Sequence, residues 1–350
     1  MAEHRSASHG TYPVNQDDPN HVRAGDPAAV QRALTAVARH LGPGGSSVND
    51  LERLTGGASQ ETWAFTVGGV PLVLRRRPPG GQARPAGGVA PSTEARLLDI
   101  VARAGVPVPQ VSLVLRPEHG LGEGFVMERV PGETLGNRIV RDQRFAVARQ
   151  ALAYQCGTAL ARIHTIATES LPVLRMAPAQ AELAHLTALH HSHRVDRPVF
   201  ESAFQWLLRH APPMPVSPAL VHGDFRNGNI AVGEAGLRAV LDWELAHVGD
   251  PMEDLGWLCV KAWRFGRSDL PVGGFGSREQ LLAGYEAAGG RADTARLHYW
   301  EVMGTLKWGI VRNDKASAWQ RRAEPDLEMA DLGQRAPAAE ADLLALLAPR

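Results

Sequence analysis

The apolar residues of this chain recur with two different periods. In the N-terminal third they alternate with polar residues over Trp63–Val67 and run together ahead of Arg75 in Pro71–Arg75, which predicts two β-strands. Three short apolar runs further on are also interpreted as strands: Ala219–Val221, Ile230–Val232 and Ala239–Leu241. Between residues 143 and 166 the period changes to a helical one, at Phe145, Ala148, Leu152, Cys156, Ala159 and Ile163. This second period predicts a long, buried helix.

A shorter helix and an extended segment are predicted between these elements. Ser92-Thr93-Glu94 opens a helix that has Ala95, Leu98 and Val101 on one face, and Gly105 ends it. The stretch before it, from residue 78 to 91, is rich in Gly, Pro and Ala and has no core-forming pattern, so we expect a mobile connection. Phe125–Gly132 is typical of a strand that runs into an extended segment.

Three polar residues stand at fixed spacing among the short strands. Asp224 is followed five residues later by Asn229, and Asp242 comes thirteen residues after that. Phosphoryl transfer uses this combination, because a carboxylate orients the attacking hydroxyl and accepts its proton, while amide and carboxylate oxygens hold Mg²⁺ against nucleotide phosphates. Gly-Asp and Gly-Asn pairs also form turns. A turn alone leaves the matching Leu241-Asp242-Trp243 segment unexplained.

The stretch from Val221 to Asn229 resembles the catalytic loop of the aminoglycoside phosphotransferase-like family of small-molecule kinases, H-G-D-x-x-x-x-N. By this resemblance Asp224 is the catalytic base, and Asn229 and Asp242 are the ligands of Mg²⁺. Gly223 stands where protein kinases have Arg, so nothing indicates activation by loop phosphorylation. Within the family, Asp242–Pro251 and Trp263–Gly266 look most like the bacterial branch akin to the kinase domain of multidomain acyl-CoA dehydrogenases.

The resemblance implies an α+β, two-lobed, protein-kinase-like fold. We expect a small, mainly antiparallel N-terminal lobe with one helix and a larger, mainly helical C-terminal lobe. Residues 26–127 would form the nucleotide-binding lobe and residues 128–350 the catalytic and acceptor-binding lobe. Residues 1–25 are polar with almost no apolar periodicity, which predicts a disordered tail.

Three residues are expected to bind or support the nucleotide phosphates. Ser59 lies in a Gly-rich loop before the first strand, although Gly-Gly at such a place is usually a hairpin turn. All lysines of the chain follow the catalytic loop, so Arg75 takes the cation's role by elimination, unless Arg75, Arg76 and Arg77 are a solvated strand end. For Arg76 and Arg77 we favour the solvated interpretation. Glu94 would pair with Arg75, or would simply favour the start of its helix.

The segment at Phe125–Gly132 would join the lobes and contact adenine. By resemblance, Met127 lies at the back of the pocket, Glu128 offers its backbone carbonyl and Val130 its backbone N–H. Asp254, in a D-P-x-x-D element, is expected to cap or brace the catalytic loop. His164 is interpreted as structural, and Trp257 and Trp263 as core residues first and a substrate wall second.

Charge and cysteine content limit the partners. Lys+Arg and Asp+Glu each number 37, so no net field attracts nucleic acid or an anionic membrane. Cys156 and Cys259 lie in apolar surroundings, which predicts reduced thiols and a cytoplasmic protein. No long apolar run predicts a membrane span.

We therefore expect a kinase that uses ATP and Mg²⁺ to phosphorylate a hydroxyl of a small molecule. The cations Lys261, Arg264 and Arg267 favour a neutral or anionic acceptor, such as a hydroxy acid or hydroxyacyl-CoA, over a polycation. An aminoglycoside or macrolide acceptor and a non-catalytic pseudokinase remain alternatives. A protein kinase is disfavoured, because the segment after Asp242 is short and apolar. The oligomeric state stays open.

Overall fold

The computed structural model describes residues 25–41, 47–54, 60–78, 87–193, 195–212, 217–320 and 336–348. These residues divide into two compact units. The first unit contains the described residues up to 78, together with 90–92 and 111–129, and the second contains the others. Residues 93–110, which the sequence boundaries assign to the N-terminal lobe, group with the second unit.

The first unit is built on a five-stranded antiparallel sheet with the strand order β1-β2-β3-β5-β4. Helix α1 (Pro27–Val37) begins at Asp26, whose side chain accepts a hydrogen bond from the N–H of Ala29. The apolar side of α1 forms one core with the strands, because Val30 and Leu34 are fully buried with Leu72 and Leu74. The strands are β1 (Val48–Leu54), β2 (Glu61–Val67), β3 (Val70–Arg77), β4 (Val111–Val114) and β5 (Glu123–Glu128).

Strand β3 places its three arginines differently from the sequence prediction. Arg76 lies on the same face as Leu74, is fully buried and pairs with Glu61 across the hairpin, with 2.7 Å between its Nη2 and Glu61 Oε2. The prediction of a solvated Arg76 is therefore wrong, because strand alternation directs it into the core and a buried carboxylate meets it there. Arg77 is 18% exposed and lies 3.7 Å from the exposed Glu123.

The second unit is mainly helical. Its longest helices are α4 (Ala146–His164) and α9 (Thr294–Gln320), and the long apolar period of the sequence matches α4 together with the 3₁₀ turn before it. The other helices are α2 (Pro91–Arg103), α3 (Gly136–Arg141), α5 (Ala179–Ser192), α6 (Pro198–Arg209), α7 (Met252–Cys259), α8 (Arg278–Ala287) and α10 (Ala336–Leu347).

Short strands in the second unit hold the loops that carry the predicted chemistry. A three-stranded sheet has the order β6-β10-β7, and β8 pairs with β9 in a separate hairpin. The positions of β7, β8 and β9 match the three short apolar runs of the sequence. The strands are β6 (Met176–Ala177), β7 (Ala219–Val221), β8 (Ile230–Gly233), β9 (Gly236–Val240) and β10 (His247–Gly249).

Two further expectations can be compared with the structure. No helix among the described residues is long and apolar enough to cross a membrane. Cys156 and Cys259 are free and buried, as predicted, and burial raises the pKa of both thiols, that of Cys259 to about 12. Both groups are therefore neutral side chains of the core. The predicted tail and most of the Gly- and Pro-rich connection lie outside the described residues.

Candidate active site

The predicted catalytic loop occupies residues 222–229, between the end of β7 and the start of β8. Gly223 has φ +82°, and a Cβ at this position would stand 2.5 Å from the carbonyl oxygen of Leu245. Only glycine adopts this conformation readily and also leaves the required space. The loop therefore has no room at position 223 for the Arg that protein kinases have there.

His222 joins the catalytic loop to the segment that contains Asp242. Its Nδ1 accepts from the backbone N–H of Asp224 at 3.2 Å, so its Nε2 carries the proton and donates to the carbonyl of Leu241 at 2.9 Å. Its ring packs against Trp243, with the ring centroids 4.7 Å apart. This buried histidine therefore couples the positions of Asp224 and Asp242 through two backbone groups.

Asp254 braces the start of the loop, as predicted. Its carboxylate accepts from the backbone N–H groups of His222 at 2.8 Å and Gly223 at 3.0 Å. His164 contacts the same carboxylate at 3.1 Å and the hydroxyl of Tyr285 at 3.0 Å, which agrees with its interpretation as a structural residue. Burial alone would raise the pKa of Asp254, but the hydrogen bonds that it accepts from His164 and from the backbone N–H of His222 outweigh burial, and the pKa is lowered.

Three side chains hold the carboxylate of Asp224. Its Oδ1 accepts from Arg226 Nε at 2.9 Å and from Trp257 Nε1 at 2.7 Å, and its Oδ2 accepts from Asn229 Nδ2 at 2.6 Å. The structure therefore brings together the predicted base and one predicted metal ligand. The carboxylate remains partly accessible, with the Asp224 side chain 17% exposed.

The orientation of Asn229 is determined by its partners. Its amide nitrogen donates to the carbonyl oxygen of Asp224 at 2.9 Å as well as to Oδ2, so both N–H groups are engaged. The amide oxygen is then the end of Asn229 that faces away from Asp224 and can bind a cation. This donor set fits Mg²⁺, which takes one or two protein oxygens and completes its shell with phosphates and water.

Asp242 follows β9 and lies next to Asn229 along the hairpin, because the N–H of Leu241 donates to the carbonyl of Asn229 at 2.8 Å. Its backbone has φ +63°, a left-handed conformation that is uncommon for a residue other than glycine. Glu94 accepts a hydrogen bond from the N–H of Trp243 at 3.3 Å. The helix α2 that carries Glu94 is thus tied to the segment that carries Asp242.

Part of the predicted nucleotide site lies on the sheet of the first unit. Arg75 and Met127 share the face opposite to Leu72 and Leu74, because Val73, two residues before Arg75, pairs with Met127. Glu128 ends β5, and Val130 belongs to the second unit. The nucleotide contacts of these residues, and the pairing of Arg75 with Glu94, stay predictions. Ser59 lies outside the described residues.

Two residues contact the predicted base although the sequence did not predict these contacts. Arg226 is two positions after Asp224, and its guanidinium also lies over the Trp263 ring at 4.5 Å. Trp257 was interpreted first as a core residue, and it is buried, but its indole N–H reaches Asp224. Only proximity in the chain could have indicated Arg226. No sequence signal pairs Trp257 with a residue 33 positions away.

The three cations that favoured an anionic acceptor are all paired with acids. Their partners are Asp342 for Lys261, Glu301 for Arg264 and Asp269 for Arg267. The pairs of Lys261 and Arg267 are neutral, whereas Glu301 also pairs with Arg278, so two guanidinium groups share one carboxylate. The preference for an anionic acceptor stays a prediction.

Lys307 lies over an aromatic ring, whereas the three cations above pair with acids. Its ammonium lies 5.3 Å from the centre of the Trp257 ring, and both side chains line a small cavity with Leu186 and Met303. Two acids that line the same cavity already have partners, since Glu182 pairs with Arg175 and Glu253 with His247. No acid among the described residues lies within salt-bridge distance of Lys307.

Residues 50–300 match the profile of the phosphotransferase enzyme family, APH. This match covers well over half of the chain, so the protein belongs to that family. It is a phosphotransferase-family protein with a kinase-like fold, and the expected α+β fold class is confirmed.

The chain is also similar to individual proteins. It is 30% identical over 242 residues to acyl-CoA dehydrogenase family member 11 of Gallus gallus, covering 65% of this chain and 30% of that protein. This confirms the predicted likeness to acyl-CoA dehydrogenase relatives, although the chain spans less than a third of that protein.

Solved structures share the fold. A candidate aminoglycoside phosphotransferase from Ralstonia eutropha has a TM-score of 0.72 and 23% identity, over 90% of this chain and 97% of the other. A thermostable mutant of the aminoglycoside phosphotransferase APH(4)-Ia, in a ternary complex with ADP and hygromycin B, has a TM-score of 0.62 and 18% identity, over 92% and 100%.

Proposed function

We propose that this protein transfers the γ-phosphoryl group of ATP to a hydroxyl of a small molecule. The observation that carries the proposal is the contact between Asp224 Oδ2 and Asn229 Nδ2, which joins the base and the metal-binding amide in one rigid pair. A non-catalytic nucleotide-binding protein would have no need to hold a carboxylate beside that amide. ATP use is supported by the family and by the nucleotide in the complex of APH(4)-Ia.

The roles follow from the chemistry of each group. Asn229 and Asp242 would hold Mg²⁺, which supplies positive charge against the phosphates of the nucleotide. Asp224 orients the hydroxyl of the acceptor and takes its proton while the hydroxyl oxygen forms the new bond to the γ-phosphorus. The bond from that phosphorus to the β-phosphate oxygen breaks, and ADP leaves. Arg75 would bind the phosphates, and Met127, Glu128 and Val130 would surround adenine.

We propose a neutral or anionic acceptor, such as a hydroxy acid or a hydroxyacyl thioester of coenzyme A. Lys307 supports this class, because its ammonium lies 5.3 Å from the centre of the Trp257 ring, and the indole of Trp257 contacts Asp224. The similarity to acyl-CoA dehydrogenase family members points to the same class.

An antibiotic acceptor is the second candidate. It is supported by the structural similarity to APH(4)-Ia, whose complex contains hygromycin B. The two candidates differ in charge, since an aminoglycoside is polycationic and requires acids that are not already neutralised.

The proposed activity is tested by replacing the base. Asp224→Asn should lower turnover by about 10²-fold or more, because general-base catalysis contributes on that order, while Mg²⁺-dependent ATP affinity changes little. Asp269→Asn is the matched control, because Asp269 is exposed and pairs only with Arg267 among the described residues. ADP release is measured against a panel of hydroxy acids, hydroxyacyl-CoAs, aminoglycosides and macrolides. ATP binding without phosphorylation of any acceptor would support a pseudokinase, and full turnover by Asp224→Asn would reject the assigned base.

The acceptor class is tested by a pair of lysine variants. Lys307→Met should lower kcat/KM for an anionic acceptor about tenfold or more, because it removes a charge-assisted contact. For the methyl ester of the same acceptor the change should be small. Lys261→Met, which removes a surface lysine paired with Asp342, should leave both values unchanged. Equal losses for the acid and the ester would contradict an electrostatic role of Lys307.

A further inference from the structure

Trp257 links the predicted base to the helix that follows the metal-binding segment. Its indole N–H donates to Asp224 Oδ1 at 2.7 Å, the shorter of the two hydrogen bonds that this oxygen accepts. The side chain is only 8% exposed, so its orientation is imposed by packing. A hydrogen bond from a buried donor to a carboxylate is stronger than one between neutral groups.

The donors are distributed unequally over the two oxygens of Asp224. Each carboxylate oxygen has two lone pairs that can accept hydrogen bonds. Among the described residues, Arg226 and Trp257 both donate to Oδ1, whereas Oδ2 receives only the amide of Asn229. Oδ1 is therefore saturated, and one lone pair of Oδ2 remains available.

We propose that Trp257 is a positioning residue of the phosphotransferase reaction: it occupies Oδ1 and fixes the carboxylate so that Oδ2 takes the proton of the acceptor hydroxyl. The acceptor O–H bond breaks and an O–H bond forms on Oδ2, while the electron pair of the hydroxyl oxygen goes to the γ-phosphorus. This inference rests on the proposed function. It assigns the proton of the acceptor hydroxyl to Oδ2 of Asp224. It also assigns Trp257, otherwise interpreted as a core residue, a role in orienting the base.

The surroundings of Trp257 hold the indole in this position. The ring contacts Trp263 edge to face, with the centroids 5.2 Å apart, and the ammonium of Lys307 lies over it. Gly304 of α9 allows close approach, because a Cβ there would stand 3.0 Å from Trp257 Cε3 and 2.9 Å from Val260 Cγ2. The indole can shift little without disturbing the packing of α7 against α9.

Trp257→Phe tests the proposal, because it keeps an aromatic ring and removes the N–H. We expect kcat to fall about tenfold or more, with KM for ATP and for the acceptor within about twofold. Trp206→Phe is the matched control: it makes the same indole-to-phenyl change on α6, where the ring packs against His210 and Tyr299. A higher acceptor KM with unchanged kcat would make Trp257 a wall of the acceptor site and overturn the proposal. So would equal effects of the two variants.

A second measurement does not depend on turnover. The ¹H–¹⁵N resonance of the Trp257 indole, assigned by through-bond correlation with the Trp257 backbone in the wild-type protein, should move upfield and exchange faster with water in Asp224→Ala. The indole resonance of Trp263 should move less. An unchanged Trp257 resonance would overturn the proposal even if Trp257→Phe fails to fold. If wild-type protein phosphorylates no acceptor, the proposed function fails, while this resonance still decides whether Trp257 holds Asp224.

Discussion

Replacing Arg76 by Ala should destabilise the first unit strongly. Arg76 is fully buried, and its guanidinium donates to Glu61 Oε2 from Nε at 2.9 Å and to the carbonyl of Leu121 at 3.2 Å. Its removal leaves the Glu61 carboxylate, itself 6% exposed, without its main counter-charge inside the core. The side-chain contacts of Arg76 thus join β2, β3 and the segment before β5.

The expected loss follows from that burial. Removing one partner of a buried ion pair costs about 3–5 kcal/mol, because the other charge is left uncompensated. Glu61 keeps an ion pair with the exposed Arg53 at 3.4 Å and hydrogen bonds from the N–H of Gly25 at 2.6 Å and from the indole of Trp63 at 3.3 Å. Because these partners remain, we expect the free energy of unfolding to fall by about 3 kcal/mol, near the lower end of that range. For Arg77→Ala we expect less than about 1 kcal/mol, because its partner Glu123 is exposed.

The assay is urea denaturation combined with hydrogen exchange of peptides that cover residues 60–78. Exchange in β2 and β3 should become much faster in Arg76→Ala and change little in Arg77→Ala. In the double variant Arg76→Met with Glu61→Leu, a large part of the lost stability should return, because no buried charge remains unpaired.

The pH dependence gives an independent check on the same pair. Burial would raise the pKa of Glu61, but the hydrogen bond and charge of Arg76 outweigh it, and the pKa lies below 4.5. The pair therefore stabilises the fold at neutral pH, and this contribution is lost as the pH falls through the folded-state pKa. If Arg76→Ala cost no more than Arg77→Ala, the buried ion pair would contribute nothing and our reasoning would be refuted.

Three further predictions concern the active site. Asp242→Ala should abolish Mg²⁺-dependent ATP binding in calorimetry, since the carboxylate that holds the metal is lost, and an unchanged affinity would contradict a kinase-like site. Arg75→Ala should weaken ATP binding about tenfold or more, as expected for a charge-assisted phosphate contact, whereas Arg77→Ala should not; equal affinities would remove Arg75 from the nucleotide site. Gly223→Ala should lower the melting temperature and turnover, because a Cβ would stand 2.5 Å from the carbonyl of Leu245 at φ +82°. Wild-type stability in that variant would show that the loop can relax.

The sequence by itself was sufficient for the fold class and for the order of the site residues. Alternation around Trp63 and the run before Arg75 predict β2 and β3, because a strand with one buried face requires a period of two. The spacing of Asp224, Asn229 and Asp242 indicates the chemistry, because the loop and the hairpin that carry these residues are continuous in the chain. Asp254 could be assigned to the loop only by the family resemblance.

The tertiary structure decided which of these residues touch. The contacts of Trp257 with Asp224 and of Asp254 with His222 join residues 33 and 32 positions apart, a separation at which no local period carries information. Arg76 shows the same limit, since alternation places it on the face of Leu72 and Leu74 but does not show that Glu61 pairs with it there. Local geometry follows from backbone periodicity, which the sequence displays. Burial and pairing depend on the elements that pack together, and these are determined only when the chain folds.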